Sequence, residues 1–436
     1  MTSRRAGFPY WLLAAAVLAY FNALLAGFQF DDFNIIVDNS AAHTLAAWWH
    51  GMPGIRPLLK LSYVLNWLAD PGPAGFHAVN VVLHLCNIVL VWRLTGHFPV
   101  PAGWAGEQSQ RRARILATLL FALQPIQTES VTYISGRSMS LMAVFGLGGL
   151  LCWLEAPAKL RPRLWRALAL ALFAAAILSK EVAVALPLTL LLFRRHGRLA
   201  PLVFAALALA ALFMLFGYQR LLSEPMPRTL AANLLSEVNA VYYLLGQLFQ
   251  PQALNIDPEL PELSSWSLLS LVQIAGLTVV AGLAWLARKT RPWFGFAVGW
   301  LIVLLLPTHS LIPRLDLASE RHLYLAALGP FWLVAIAGSA LLDGRWRWRG
   351  VMLALTLTGM TYTYLRNLDY RDEISLWRQT VTVDADNTRA WNNLGWAYLL
   401  ANRRAEARQA FERTLQLEPG HAKARRNLRY LDEVNR

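Results

Sequence analysis

Long apolar blocks recur along this chain, and no other feature limits its fold as strongly. Residues 11–28 and 200–217 are the clearest examples. Blocks of about 20 apolar residues match the hydrocarbon thickness of a bilayer. Only 15% of the 436 residues are charged, where an ordinary soluble domain carries about 25%. The sequence therefore predicts an all-α, polytopic membrane protein. The first block reads as a retained span rather than a cleaved signal peptide. Gln29-Phe30-Asp31-Asp32 follows it, not a small-residue cleavage site.

Eleven spans are predicted, beginning near Pro9, Phe76, Ile115, Ser138, Arg166, Val182, Ala200, Trp266, Pro292, His322 and Gly350. With the N-terminus inside, basic residues concentrate on the inner side. Arg4, Arg5, Arg93, Arg111, Arg112, Arg114, Arg194, Arg195, Arg198, Arg345, Arg347 and Arg349 are among them. The outer loops hold Arg56, Lys60, Arg137, Lys180, Arg220, Arg228, Arg314 and Arg321. This asymmetry follows the positive-inside rule. The net charge of +14 is thus membrane topology and not a nucleic-acid face. Acids run the other way, with only Glu107, Glu155 and Asp343 inside. Acidic residues barely steer insertion, so their bias points to a polar chemical site on the outer face. Residues 237–250 read as an interfacial helix in a long outer loop. Cys86 and Cys152 both fall in apolar blocks and read as small core residues.

The domains divide as 1–366, the membrane part, and 367–436, an extracytoplasmic tail. In the tail, Trp391, Leu394, Gly395, Tyr398, Ala407, Phe411 and Pro419 have tetratricopeptide-repeat spacing. Trp377 and Phe411 repeat at 34 residues, as do Asn393-Leu394 and Asn427-Leu428. One full repeat is too little to stand alone, so the hairpin is expected to dock on the membrane domain or on a protein partner. Arg403, Arg404 and Arg408 are a candidate basic face for an acceptor.

Several outer segments carry chemistry-bearing groups. Asp31 and Asp32 leave the first span together and are candidate general bases, with Glu129 in reserve. Arg137, Lys180 and Arg321, with Arg56, are candidate ligands for a lipid phosphate through charge-assisted hydrogen bonds. Lys180 beside Glu181, and Arg321 beside Glu320, read equally well as simple ion pairs. His77, Asn80, His84 and Asn87 share one helix face. A polar stripe within a span must face a partner helix or a cavity. His77, Asn80 and His84, with Gln124 and His322, are therefore candidates for a polar cavity that meets the acceptor. No carboxylate stands at metal-ligand spacing to these histidines, so no metal site is expected.

The blocks Phe30-Asp31-Asp32, Arg56-Pro57-Leu58, Phe76 through His84, Pro125 through Glu129 with Gly136-Arg137, Ser179-Lys180-Glu181 and Glu320-Arg321 with Leu323-Tyr324 occur in a fixed order. In that order, with the trailing repeat, they resemble the transmembrane and tetratricopeptide-repeat-containing O-mannosyltransferases and their bacterial relatives, of the GT-C superfamily. The resemblance implies a GT-C-like fold and an inverting glycosyltransferase without a cofactor. It implies a polyprenyl-phosphate sugar, drawn from the membrane lipid, as donor and a Ser or Thr hydroxyl as acceptor. Asp31 would take the place of the base. The family usually shows His before the proline, where this chain has Gln124, and often has a longer repeat array. The short tail keeps a glycan or lipid acceptor open beside a protein one. Length and tail together point to a bacterial inner membrane, with the tail periplasmic. A lipid-linked-glycan transporter or flippase would show inverted internal repeats and mid-bilayer charges, and neither is apparent. A non-catalytic scaffold would suit the repeat but would leave the loop cations without a purpose.

Overall fold

A computed structural model describes residues 7–51, 55–104, 107–193, 199–215, 228–309, 313–314, 316–342 and 344–434. Arg4, Arg5, Arg194, Arg195, Arg198, Arg220 and Asp343 lie outside the described residues. Among those described, every regular element is helical.

The count of eleven full spans needs correction. Among the described residues, four helices are long and apolar enough to cross a membrane: Pro73–Thr95, Ile134–Ala158, Pro162–Ser179 and Leu268–Ala287. A fifth arises if Glu320–Ala326 and Leu328–Leu341, bent by 56°, form one broken span. The other predicted spans form helices too. Trp11–Leu25, Glu181–Leu192 and Pro292–Leu305 are each apolar but have fewer than 18 residues, while the span predicted from Ala200 lies partly outside the described residues. At 1.5 Å per α-helical residue, a 14-residue helix reaches only about 21 Å of a roughly 30 Å core. The Glu107–Leu123 and Arg345–Asp369 helices begin in charged residues that dilute their hydropathy. Apolar length measured along the chain thus overstates helix length wherever a 3₁₀ turn or a proline intervenes, as at Phe21–Leu25 and Pro187.

The long helices pack closely. Pro73–Thr95 lies between Glu107–Leu123 and Arg137–Glu155, and the last of these lies along Pro162–Ser179. Leu268–Ala287 keeps most of its apolar surface outward. Cys86, read from sequence as a core residue, is exposed on the outside of Pro73–Thr95. A thiol is apolar enough to face lipid. Residues 237–250 begin within the Leu230–Gln247 helix, which is not among the candidate spans. It runs beside Leu268–Ala287, where the Tyr242 hydroxyl donates to the Gln273 carbonyl at 3.1 Å.

The 366/367 boundary falls inside the last turn of Arg345–Asp369, so one helix feeds straight into the tail. Glu373–Val383, Thr388–Leu400, Arg404–Leu417 and Ala422–Val434 follow. Gly395 lets the repeat close, since a Cβ there would stand 2.6 Å from the Phe411 ring. The tail shares a core with the membrane domain: Tyr133 and Ile256 join Tyr370, Trp377 and Phe411 in one cluster, with Phe30 against it. Asn387 donates to the Asp257 carbonyl at 2.7 Å, and Gln379 to that of Leu254 at 2.6 Å.

Candidate active site

At the end of the bundle that meets the tail lies a cavity lined by Phe30, Asp31, Glu129, Tyr133, Ile256, Asp257, Asp316, Ala318, Ser319, Arg321 and Arg389. Three sequence-predicted residues, Asp31, Glu129 and Arg321, come together here. The two aspartates part company. Asp31 is half-buried at the cavity wall, and its backbone N–H donates to the Tyr133 hydroxyl at 3.2 Å. Asp32 turns inward and is buried. It accepts from the Gln29 N–H at 3.0 Å, the Ser135 N–H at 2.8 Å, and the Ser135 hydroxyl. Burial pushes its carboxyl up to about 7, against these hydrogen bonds, which pull it down.

The residue before them is strained. Phe30 has φ +47°, uncommon for a bulky residue. The tail holds it there. Its N–H donates to the Glu373 carboxylate, and its ring meets Trp377 edge-on at 5.0 Å. The Gln29 side chain donates to the Tyr370 carbonyl, and the Gly27 N–H to that of Arg371 at 3.1 Å.

Glu129 is buried on the short Thr128–Val131 helix. It accepts from the Ser319 hydroxyl at 2.6 Å and the Arg321 N–H at 2.8 Å, and lies 3.4 Å from Arg321 Nε. Gly136 packs onto the backbone of the same helix, where a Cβ would stand 2.0 Å from the Glu129 carbonyl. The simple neighbour pairs read from sequence do not form. Arg321 pairs with Glu129, Glu320 with Arg366 at 3.4 Å, and Glu181 with Arg56 through two contacts of 2.6 and 2.8 Å. Lys180 is buried and donates to the Ser138 hydroxyl at 3.2 Å. Burial holds its ammonium well below the ordinary lysine range, and the charges of Arg321, Arg56 and Arg314 add to this. These four cations form one electrostatic group behind the cavity, though only Arg321 lines it.

Arg137 is elsewhere. It is fully buried between Tyr63 and Phe76, and it donates to Asn80 at 2.6 Å, Asn66 at 2.8 Å and the carbonyls of Phe76 and Ser62 at 2.9 and 3.2 Å. At most one of its five N–H groups is left for anything else. The polar stripe joins helices in the same way. His84 meets the Tyr324 hydroxyl at 2.9 Å and the Ala122 carbonyl at 3.2 Å, and Asn87 donates to Ser140 and Tyr324. His77 is buried near the backbone of Ala26, Gly27 and Thr132. Gln124 caps the 3₁₀ turn at Ile126 and donates to the Leu248 carbonyl at 2.8 Å. His322 contacts His309 at 3.0 Å, and His309 contacts Glu237 at 2.7 Å. None of His77, Asn80, His84, Gln124 and His322 lines the cavity. In the tail, Arg403 pairs with Glu406 and Arg408 with Asp432.

Sequence reasoning passed over Asp257, Asp316, Tyr133 and Arg389. Arg389, on the repeat's first helix, pairs with Asp257 and lies 2.8 Å from Asp316. Burial raises the Asp316 carboxyl, against Arg321 and Arg314. Only the outer-loop excess of acids hinted at these residues.

Residues 388–421 match the tetratricopeptide-repeat family. Protein O-mannosyl-transferase TMTC3 of Homo sapiens is 26% identical over 481 residues, covering 93% of this chain and 50% of that protein. Tmtc3 of Drosophila melanogaster, also named a protein O-mannosyl-transferase, is 27% identical over 93% of this chain and 54% of its own. The chain resembles the protein O-mannosyl-transferases along nearly its whole length. Tmtc2 of Drosophila melanogaster is 30% identical over 62% of this chain and 33% of its own length. The chain spans about half the length of the curated relatives it matches most fully. No solved structure matches it.

Proposed function

We propose that this chain is an integral membrane glycosyltransferase that moves a sugar from a polyprenyl-phosphate donor to a hydroxyl on the extracytoplasmic face. One observation carries the reading: a single cavity combines a half-exposed carboxylate, Asp31, with Arg321, at the edge of a cation group made of the buried Lys180 and the partly buried Arg56 and Arg314. That is what a displacement at an anomeric carbon needs. The Asp31 carboxylate takes the acceptor's proton as its oxygen bonds to the anomeric carbon. The bond from that carbon to the donor phosphate breaks, and the phosphate leaves with the electron pair. Attack opposite the leaving group inverts the configuration. Cations stabilise the departing phosphate, with Arg321 nearest and the others supplying field.

Glu129 is the positioning residue for Arg321 rather than the base, since both its oxygens already accept hydrogen bonds. Asp32 locks the Gln29–Ser135 turn. Arg137, Asn80, His84 and Gln124 hold the helices that carry the site. The relatives' names favour a protein Ser or Thr as acceptor. The tail forms part of the cavity wall through Arg389, so the acceptor approaches along the repeat. In a bacterial inner membrane this face would be periplasmic.

Purified protein given polyprenyl-phosphate mannose and a Ser/Thr-rich peptide should yield a hexose adduct by mass spectrometry. Movement of the labelled lipid-linked sugar across vesicles, with no adduct to peptide or glycan, would replace the transferase by a transporter.

A further inference from the structure

We propose that the opposite end of the bundle carries a separate site for the phosphate of an anionic membrane lipid. The Glu107–Leu123 and Arg345–Asp369 helices begin side by side there. Between them lies a pocket of about 240 Å³ whose walls include Gln108, Arg111, Arg112, Arg345, Trp348 and Arg349. The same two helices end near Gln124 and Glu373, beside the cavity described above. Their 17 and 25 residues set the two sites about 25–37 Å apart along the helix axes, comparable to a bilayer's hydrocarbon core.

The pocket is cationic. Arg345 and Arg349 are one turn apart on one helix face, and Arg111 and Arg112 enter from the other helix. Among the described residues, none of the four forms an ion pair with a carboxylate. Arg93, at the same end, has Glu155 at 2.8 Å. Four guanidinium groups around one hollow repel one another unless an anion joins them. One of them is held in place: Arg112 donates to the Leu342 carbonyl at 3.0 Å and lies 5.2 Å over the nearly buried Trp348 ring. Guanidinium forks fit phosphate oxygens in pairs.

The rim identifies the source of the anion. Trp346 is 78% exposed and Leu341 76% exposed beside the pocket. Indole rings and apolar side chains of this kind sit at the boundary of headgroups and acyl chains. An anion arriving there comes with hydrocarbon attached. Basic pockets between helices at a membrane surface are suited to such headgroups.

The test titrates the full-length protein in neutral detergent with short-chain phosphatidylglycerol, phosphatidylcholine or inorganic phosphate, and counts adducts by native mass spectrometry. Phosphatidylglycerol should bind, and Arg111→Gln/Arg345→Gln should weaken it about tenfold or more, as expected for lost charged hydrogen bonds. Arg111→Lys/Arg345→Lys should recover part of the loss. Arg288→Gln, at another basic turn, should change little. Equal retention of phosphatidylcholine would overturn the proposal. So would an unchanged double variant, or an equal loss in Arg288→Gln. Inorganic phosphate that displaces the lipid at matched concentration would overturn the lipid assignment. An unaltered thermal transition in each variant keeps a loss of binding distinct from a loss of fold.

Discussion

Two polar regions of this protein use the same residue types to opposite ends. Between Pro57–Ala69, Pro73–Thr95 and Arg137–Glu155, the cation Arg137 meets four neutral acceptors, and His84 and Asn87 close onto Tyr324. Most of the bonding capacity of Arg137 and His84 there is spent between helices, although both ring nitrogens of His77 lack a partner among the described residues, and such contacts fix how helices meet where lipid offers no hydrogen bonds. At the cavity the matching is looser. Asp31 keeps a half-exposed carboxylate, Arg321 shares Glu129 with Ser319, and Lys180 donates to a neutral hydroxyl. The difference teaches that charge type does not mark a reactive site in a membrane protein. Unspent bonding capacity next to open space does.

That contrast can be broken by mutation. The largest expected effect is at Asp31. Asp31→Asn should lower turnover by about a hundred- to ten-thousand-fold, with donor binding and thermal stability kept. Single-turnover kinetics and a melting curve on the same preparation check this, and near-normal turnover would move the base elsewhere in the cavity. Arg137→Ala should do the reverse. It strands acceptors on Asn80, Asn66 and Phe76, for a stability loss of about 3 kcal/mol or more, while folded molecules keep their donor affinity. A melting curve unchanged in that variant would show the core to be less tightly matched than its geometry implies.

A smaller effect separates the neighbouring aspartates. Asp32→Asn presents an NH₂ group to backbone N–H donors at Gln29 or Ser135, at a cost of roughly 1–3 kcal/mol. Denaturation should expose this, and turnover per folded molecule should fall far less than in Asp31→Asn. Asp32 also makes a pH signature. Its carboxyl lies at about 7 when folded, raised from 3.8. Its contribution to stability is then full below about pH 4 and is lost as pH rises through 7. Melting temperatures from pH 5 to pH 8 should show that slope, and Asp32→Asn should flatten it. The smallest effect tests whether the tail belongs to the site. Glu373→Ala frees the Phe30 N–H, so turnover should drop about tenfold, as for a slightly misplaced reactive group. Hydrogen exchange at residues 29–33 should quicken with it. Unchanged exchange and rate would return the tail to a bystander.

Much of this was legible in the residues. The apolar blocks gave the helical class, the repeat spacing gave the hairpin at Thr388–Leu417, and the adjacent acids and loop cations pointed to the end where Asp31, Glu129 and Arg321 meet. The pairings were not legible, because Arg56 with Glu181 and Arg321 with Glu129 join residues more than a hundred positions apart. Arg389 was invisible for the same reason, as a surface-like residue of a repeat helix until Asp257 and Asp316 met it. Hydropathy and repeat period are local quantities, set by neighbours along the chain, so the sequence by itself determined where helices form and which end of the bundle is polar. Helix length, bend and side-chain saturation depend on what packs from across the fold. Only the tertiary structure could decide that the described residues hold four or five helices long enough to cross a membrane, that Asp32 turns inward while Asp31 stays open, and that Arg137 is spent on the scaffold.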